Sequence, residues 1–258
     1  MITVTILGYG NVGSHLVKAF TGSACAKISQ VYSRSAVSLN KKHDGIDYIN
    51  SLRDLTQVDC YIIAVPDDHI QDISEKLPFT NRLVVHTSGS VLMDVLDSKN
   101  RKGVFYPLQT FSKDTEVSFH KIPICVEAAQ TNDLELLKKL GAAISENVPE
   151  ISSQERTKMH VAAVFVNNFV NHLYHISEEI MNEHGLDFTL LKPLISETAA
   201  KIETRSPKEV QTGPAKRDDQ QTITRHLNQL TDNRQKDIYT LLTKAILETH
   251  NKTNEGKL

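Results

Sequence analysis

Gly8, Gly10 and Gly13 end the apolar run ITVTIL and open a helix-like stretch in the order GYGNVG. Each glycine has its own use at this spacing. Gly8 permits a tight turn after a strand, Gly10 lets backbone approach a pyrophosphate closely, and Gly13 allows a helix to pack against the strand. Tyr9, Asn11 and Val12 complete a loop whose free N–H groups and helix dipole suit phosphate oxygens. An NAD site usually carries a carboxylate about 20 residues further on. There the chain reads YSRS, with Ser33, Arg34 and Ser35 and no carboxylate. A guanidinium and hydroxyls bind a 2′-phosphate that a carboxylate would repel. The expectation is an NADP cofactor rather than NAD.

Three more segments carry polar groups at predicted strand ends. Val65 and Pro66 in IIAVPDDHI would border a ribose, with Asp67 or Asp68 capping the following helix. HTSGS at 86–90 places His86, Thr87, Ser88 and Gly89 where a nicotinamide ring and its substrate would meet, and Tyr106 and Gln109 of FYPLQTF reach the same edge. The alternative for each is turn chemistry and core packing.

At 100° per residue, His160, Asn167, Asn171 and Glu178 fall within about 40° of one another, with Asn168 and His175 close by. The surrounding residues are apolar nearly all round, so this helix should be buried and its polar stripe should face a wet cleft, a hydrogen-bonded core or a subunit contact. His172 and His175 lack a third metal ligand, and no metal site is expected. Arg217, in TGPAKRDD at 212–219, can reach an anionic substrate group or cofactor phosphates, while Asp218 or Asp219 can be a helix cap.

The elements that hold these groups fall into two halves. Strands are predicted at 2–7, 28–33, 60–65, 83–88, 103–106 and 123–128, and helices at 12–20, 67–77, 90–97 and 131–140. The strands are continuously apolar, as in a parallel sheet covered on both faces. This alternation gives an α/β fold: a Rossmann-like parallel-sheet domain over 1–150, followed by an all-helical domain over 151–258. In the second half, one long helix runs from a cap at Ser152 or Ser153 to Gly185. Another covers 187–204 with an interruption near Pro193, a loop spans 206–219, and two more helices follow.

The chain has 258 residues, 29 basic and 31 acidic, for a net charge of −2. That balance implies no attraction for nucleic acid or an anionic membrane. No apolar run approaches a membrane span, and no leader is expected before the first strand. Cys25, Cys60 and Cys125 are too widely spaced for a zinc site, and Cys60 and Cys125 read as buried small hydrophobes. A cytoplasmic protein is expected.

In order and spacing, GYGNVG at 8–13, HTSGS at 86–90, YPLQTF at 106–111, the helix with His160 and Asn168, and TGPAKRDD at 212–219 resemble a known bacterial family. Its members join a Rossmann-like NADP-binding domain to a helical domain of unknown function, DUF2520. The architecture is similar to that of pyrroline-5-carboxylate reductase, ketopantoate reductase and the 6-phosphogluconate dehydrogenase group. The resemblance implies a homodimer formed through the helical domain and a small-molecule substrate held between the domains. The chain departs from the pattern at Asp218, where an Arg-Gly-Asp run would carry glycine, which leaves the backbone of that turn and the role of Asp219 open. The lysine–asparagine pattern of the 6-phosphogluconate group is also missing, and His160 stands nearest where that lysine would act.

The expected function is NADPH-dependent hydride transfer to or from a carbonyl or imine. His160 is the general acid, Ser88 and Asn168 orient the substrate, and Arg217 neutralises an anionic group. A non-catalytic NADP sensor acting through its helical domain is the alternative. The three glycines with Arg34 weigh against a methyltransferase-like enzyme.

Overall fold

Why the central strands do not alternate apolar with polar residues is visible in the computed structural model, which describes residues 1–34, 42–43, 45–113 and 115–251. Cys60 and Ile62 of β5 (Cys60–Ile63) face one core with Val4, Leu16 and Phe20, whereas Tyr61 and Ile63 face a second core with Ile70 and Leu77. Both faces of the sheet are covered, so alternate residues need not be polar.

The first half contains β1 (Ile2–Leu7), α1 (Asn11–Thr21), β2 (Ala26–Tyr32), β3 (Lys42–His43), β4 (Ile46–Ile49), β5, α2 (Ile70–Glu75), β6 (Leu83–His86), β7 (Arg101–Pro107), β8 (Ile124–Ala128) and α3 (Thr131–Ala142). The described strands form one eight-stranded sheet in the order β3-β4-β2-β1-β5-β6-β7-β8. The central pairs are parallel; the outer pairs β3–β4 and β7–β8 are antiparallel. Strand direction is not written in an apolar run, so the antiparallel return of β8 differs from the all-parallel expectation. The chain crosses from one side of β1 to the other between β4 and β5. The strand order therefore reverses at β1–β5, and crevices form at such points beyond the carboxyl ends of the strands.

Two helix expectations in this half change. Residues 90–97 hold only a 3-10 turn at Met93–Val95. Side chains compete for the backbone there: the Val91 carbonyl accepts from Arg156, and the Met93 N–H donates to Ser153 Oγ at 3.0 Å. Asp67 and Asp68 do not cap a helix. Pro66 precedes a 3-10 turn over Asp67–His69 that leads into α2, and the Asp67 carboxylate accepts from the Ser90 hydroxyl.

The compact units divide after Asn168, so α4 (Ser153–Val164) belongs with the sheet, beyond the last strand residues that suggested a boundary at 150. The cause is local: Arg156 of α4 is wholly buried against Glu127 of β8, and Met159 packs on the cluster of Val104, Tyr106 and Cys125. Ser152 caps α4 in a reciprocal box with Glu155, as the S-x-x-E spacing allows. The predicted single helix is broken by a π segment, Phe165–Phe169, before α5 (Val170–Glu183). Its wider turn interrupts the 100° phase that the polar stripe requires.

The second unit is helical: α5, α6 (Lys192–Lys201), α7 (Pro207–Val210), α8 (Gln220–Gln229) and α9 (Asn233–Asn251). Gly185 ends the α5 region at φ 67°, and Pro193 lies in the first turn of α6 instead of interrupting it. The loop expected over 206–219 includes α7, which Ser206 and Glu209 cap reciprocally. No described helix is long and apolar enough to cross a membrane.

Candidate active site

Gly8 leaves β1 at φ 118°, a backbone state that favours glycine; a Cβ there would come within 2.4 Å of the Ala64 carbonyl oxygen. A Cβ on Gly13 would lie 2.0 Å from the Gly8 carbonyl oxygen, so α1 packs directly on the turn. Gly10 is different: a Cβ would meet nothing within 4 Å, and its φ is −84°. Neither internal packing nor backbone strain requires glycine at position 10. Open space above a helix start is what an approaching ligand needs. Gly10 is also the N-cap of α1, with no side-chain cap and no acidic residue in the first turn. The first N–H groups of α1 therefore suit an anion.

Cavities lie on both sides of this loop. The first, about 400 Å³, is lined by Gly8, Tyr9 and Gly10, by Ser33 and Arg34 after β2, by Val65 and Pro66 after β5, and by a face of the 67–76 segment. It brings together most of the residues expected to hold the adenosine end of a dinucleotide. Ser35 lies outside the described residues. Sequence reading missed His69, Asp72, Ile73 and Lys76 in this wall, although their i, i+3, i+4, i+7 spacing marks one helical face.

The second cavity, about 570 Å³, starts at Asn11 and Val12 and extends along Tyr106, Gln109, Thr110, Met159, His160, Asn167 and Asn168. His160 Nδ1 lies 3.2 Å from the Tyr106 hydroxyl, with the rings edge to face. Burial pushes the Tyr106 phenol up to about 12, so it is a neutral hydroxyl near pH 7. The imidazole lies over Gly89: a Cβ there would be 2.4 Å from His160 Nδ1 and 2.8 Å from Tyr106 Cζ. The glycine of HTSGS thus makes room for the pair. The π segment supplies both Asn167 and Asn168 to the same wall.

Other expected residues have structural places. Ser88 lines neither cavity; its Oγ accepts from the N–H groups of Ser90 and Val91, both at 3.1 Å. His86 is wholly buried and accepts from the Ser88 N–H through Nδ1. Burial, and then the nearby Arg156 guanidinium, push its ring down to about 4, so it is neutral at pH 7. Arg156 was not singled out in the sequence. Its guanidinium donates to Glu127 Oε2 at 2.6 Å, to Ser153 Oγ and to the Val91 carbonyl, one turn before His160.

In the second unit, Arg217 is exposed before α8, and Asp219 caps that helix by accepting from the Thr222 N–H at 3.0 Å. Asp218 takes φ 56° and accepts from Gln220 Nε2. The left-handed backbone that a glycine would have provided is present, held by an aspartate at a cost of about 1 kcal/mol.

The described apolar helix is not buried as expected. Val161, Phe165 and Val166 are 59%, 61% and 74% exposed, and the second unit exposes Leu190, Leu194 and Leu241.

The family described as domain of unknown function DUF2520 matches residues 122–246. Among solved structures, the “putative NADP oxidoreductase” of Bacteroides fragilis is 36% identical, with a TM-score of 0.86 over 96% of this chain and 98% of that one. The imine reductase of Myxococcus stipitatus, in complex with NADP+, shares the fold at 16% identity and a TM-score of 0.59, over 99% and 95% of the two chains. A pyrroline-5-carboxylate reductase from Coxiella burnetii does so at 16% and 0.56, over 97% and 98%. Comparison with curated protein sequences gives no match.

Proposed function

The chain belongs to the DUF2520 family of Rossmann-like proteins, and from that premise we propose that it is an NADP(H)-dependent oxidoreductase acting on a small carbonyl or imine. The observation that carries this reading is the pair of cavities flanking an uncapped helix start, one bearing Arg34 and the other the Tyr106–His160 pair. The oxidoreductase name of the 36% identical Bacteroides protein supports the same class.

The N–H groups of Asn11, Val12 and Gly13 would hold the pyrophosphate, Val65 and Pro66 would border the ribose, and Arg34 with Ser33 would hold the 2′-phosphate. NADPH, when bound, supplies the hydride. The chain's own task is then to orient the substrate and move one proton. The Nδ1 side of His160 is turned to Gly89 and Tyr106, which leaves Nε2 to give a proton to the substrate oxygen or nitrogen as the carbon is reduced, or to take it back in reverse. Tyr106, a neutral phenol, accepts from Nδ1–H and so fixes the tautomer left after transfer. Asn168, with Asn167 beside it, would hold the substrate, and Ser88 shapes the loop under His160. Arg217 is the proposed partner for an anionic substrate group.

A homodimer belongs to this proposal, because the exposed apolar residues of α4 and the helical unit are of the kind subunit contacts cover. Light scattering should read a dimeric mass; a monomer at micromolar concentration would remove that part. Three free thiols, two of them buried, suit a reducing cytoplasm.

Titration with NADPH and NADH, followed by nicotinamide fluorescence, tests the reading. NADPH should bind more tightly, and Arg34→Ala should lose about 1.5–3 kcal/mol of NADPH affinity, as for a charge-assisted contact. If neither nucleotide binds, the glycine loop is only a turn.

A further inference from the structure

The Arg34 cavity has a second cation that comes from a different element. Lys76 follows α2 on the same helical face as His69, Asp72 and Ile73, and all four residues line the wall to which Arg34 contributes. Lys76 Nζ sits 2.6 Å from Asp72 Oδ1 and 2.7 Å from Oδ2, so both carboxylate oxygens hold it. Asp72 is the one carboxylate among the described residues lining this cavity.

We propose that Lys76 is a second reader of the cofactor's 2′-phosphate and, with Arg34, sets the preference for NADP(H) over NAD(H). A phosphate monoester near pH 7 carries between one and two negative charges, so one guanidinium leaves part of that charge uncompensated. Lysine serves as a flexible point charge where arginine supplies a planar fork, and the two together cover a group that either alone would neutralise in part. The Asp72 carboxylate keeps Lys76 at the cavity in the absence of the nucleotide. Without Lys76, Asp72 would face the phosphate as a bare like charge. Asp72 and Lys76 are both more than half exposed, so their pair is a weak, screened contact from which Lys76 is readily recruited.

The inference rests on the NADP(H) reading, and its test separates the two. Dissociation constants for NADPH and NADH are measured by nicotinamide fluorescence on the full-length protein, Lys76→Ala and Asp72→Asn, at low and high salt. Lys76→Ala should weaken NADPH about 10-fold and NADH less than about 2-fold, and should flatten the salt dependence for NADPH. Asp72→Asn, which releases Lys76, should keep or tighten NADPH binding. Equal weakening of both nucleotides by Lys76→Ala, or no change in either, overturns the role of Lys76 while leaving the cofactor reading in place. Failure of the unaltered protein to bind NADPH overturns both. The ratio of the two affinities is the deciding quantity, because general damage to α2 would move both constants together.

Discussion

Glu127→Ala is expected to destabilise the protein by about 3–5 kcal/mol, the usual consequence of leaving one buried charge without its partner. The Arg156 side chain is 0% exposed and its ion pair with Glu127 is 2.6 Å long. Its Nε has no hydrogen-bond partner, so the guanidinium has little in reserve. Thermal unfolding should show the loss as a fall of roughly 10 °C for a chain of this size. Glu127→Gln, which keeps an acceptor oxygen, should lose less. Replacing Glu127 and Arg156 together with apolar residues of similar volume should recover much of the loss, since desolvating the two charges offsets their attraction. A small effect from Glu127→Ala would mean that Ser153 and the Val91 carbonyl alone satisfy the buried cation.

The second large effect is expected at His160. If it moves the proton, His160→Ala should lower kcat for NADPH oxidation by about 10²–10⁴-fold, the range for loss of a general acid or base. NADPH affinity should change little, because His160 lines the second cavity and not the one holding Arg34. Gly89→Ala should reproduce much of the loss without touching an ionisable group, since the added methyl would occupy the place of the imidazole. The measurement is turnover with a panel of cyclic imines and simple ketones at saturating NADPH. Unchanged turnover in His160→Ala would remove His160 from the chemistry and move attention to Tyr106 or Asn168.

Local sequence carries local structure well here. The β1–glycine–α1 unit, the Ser152 cap, the Gly185 stop and the cap at Asp219 depend on residues within a few positions of each other, and all are legible in order and type. Properties set by distant partners are not. The antiparallel return of β8, the collapse of the predicted 90–97 helix and the burial of Arg156 each depend on groups brought together from far along the chain. The π segment escapes for another reason, because FVNNF has no composition that separates a five-residue turn from an α-helical one. Lys76 is legible in principle, since its spacing from His69 and Asp72 is helical, but a helical face by itself does not say which cavity it lines. Ser88 shows the converse, a residue whose place at a strand end suggested chemistry and whose hydroxyl is taken up by the turn.

The three glycines of the first loop are held by different forces. Positions 8 and 13 are fixed by the chain's own backbone, one through φ and a neighbouring strand, the other through its distance from the first. Position 10 faces emptiness. In a lineage that kept this fold but abandoned its nucleotide, selection would go on purging replacements at 8 and 13 and would fall silent at 10. Drift at that single site, set beside constancy at its two neighbours, would date the loss of binding in descendants whose architecture still looked intact.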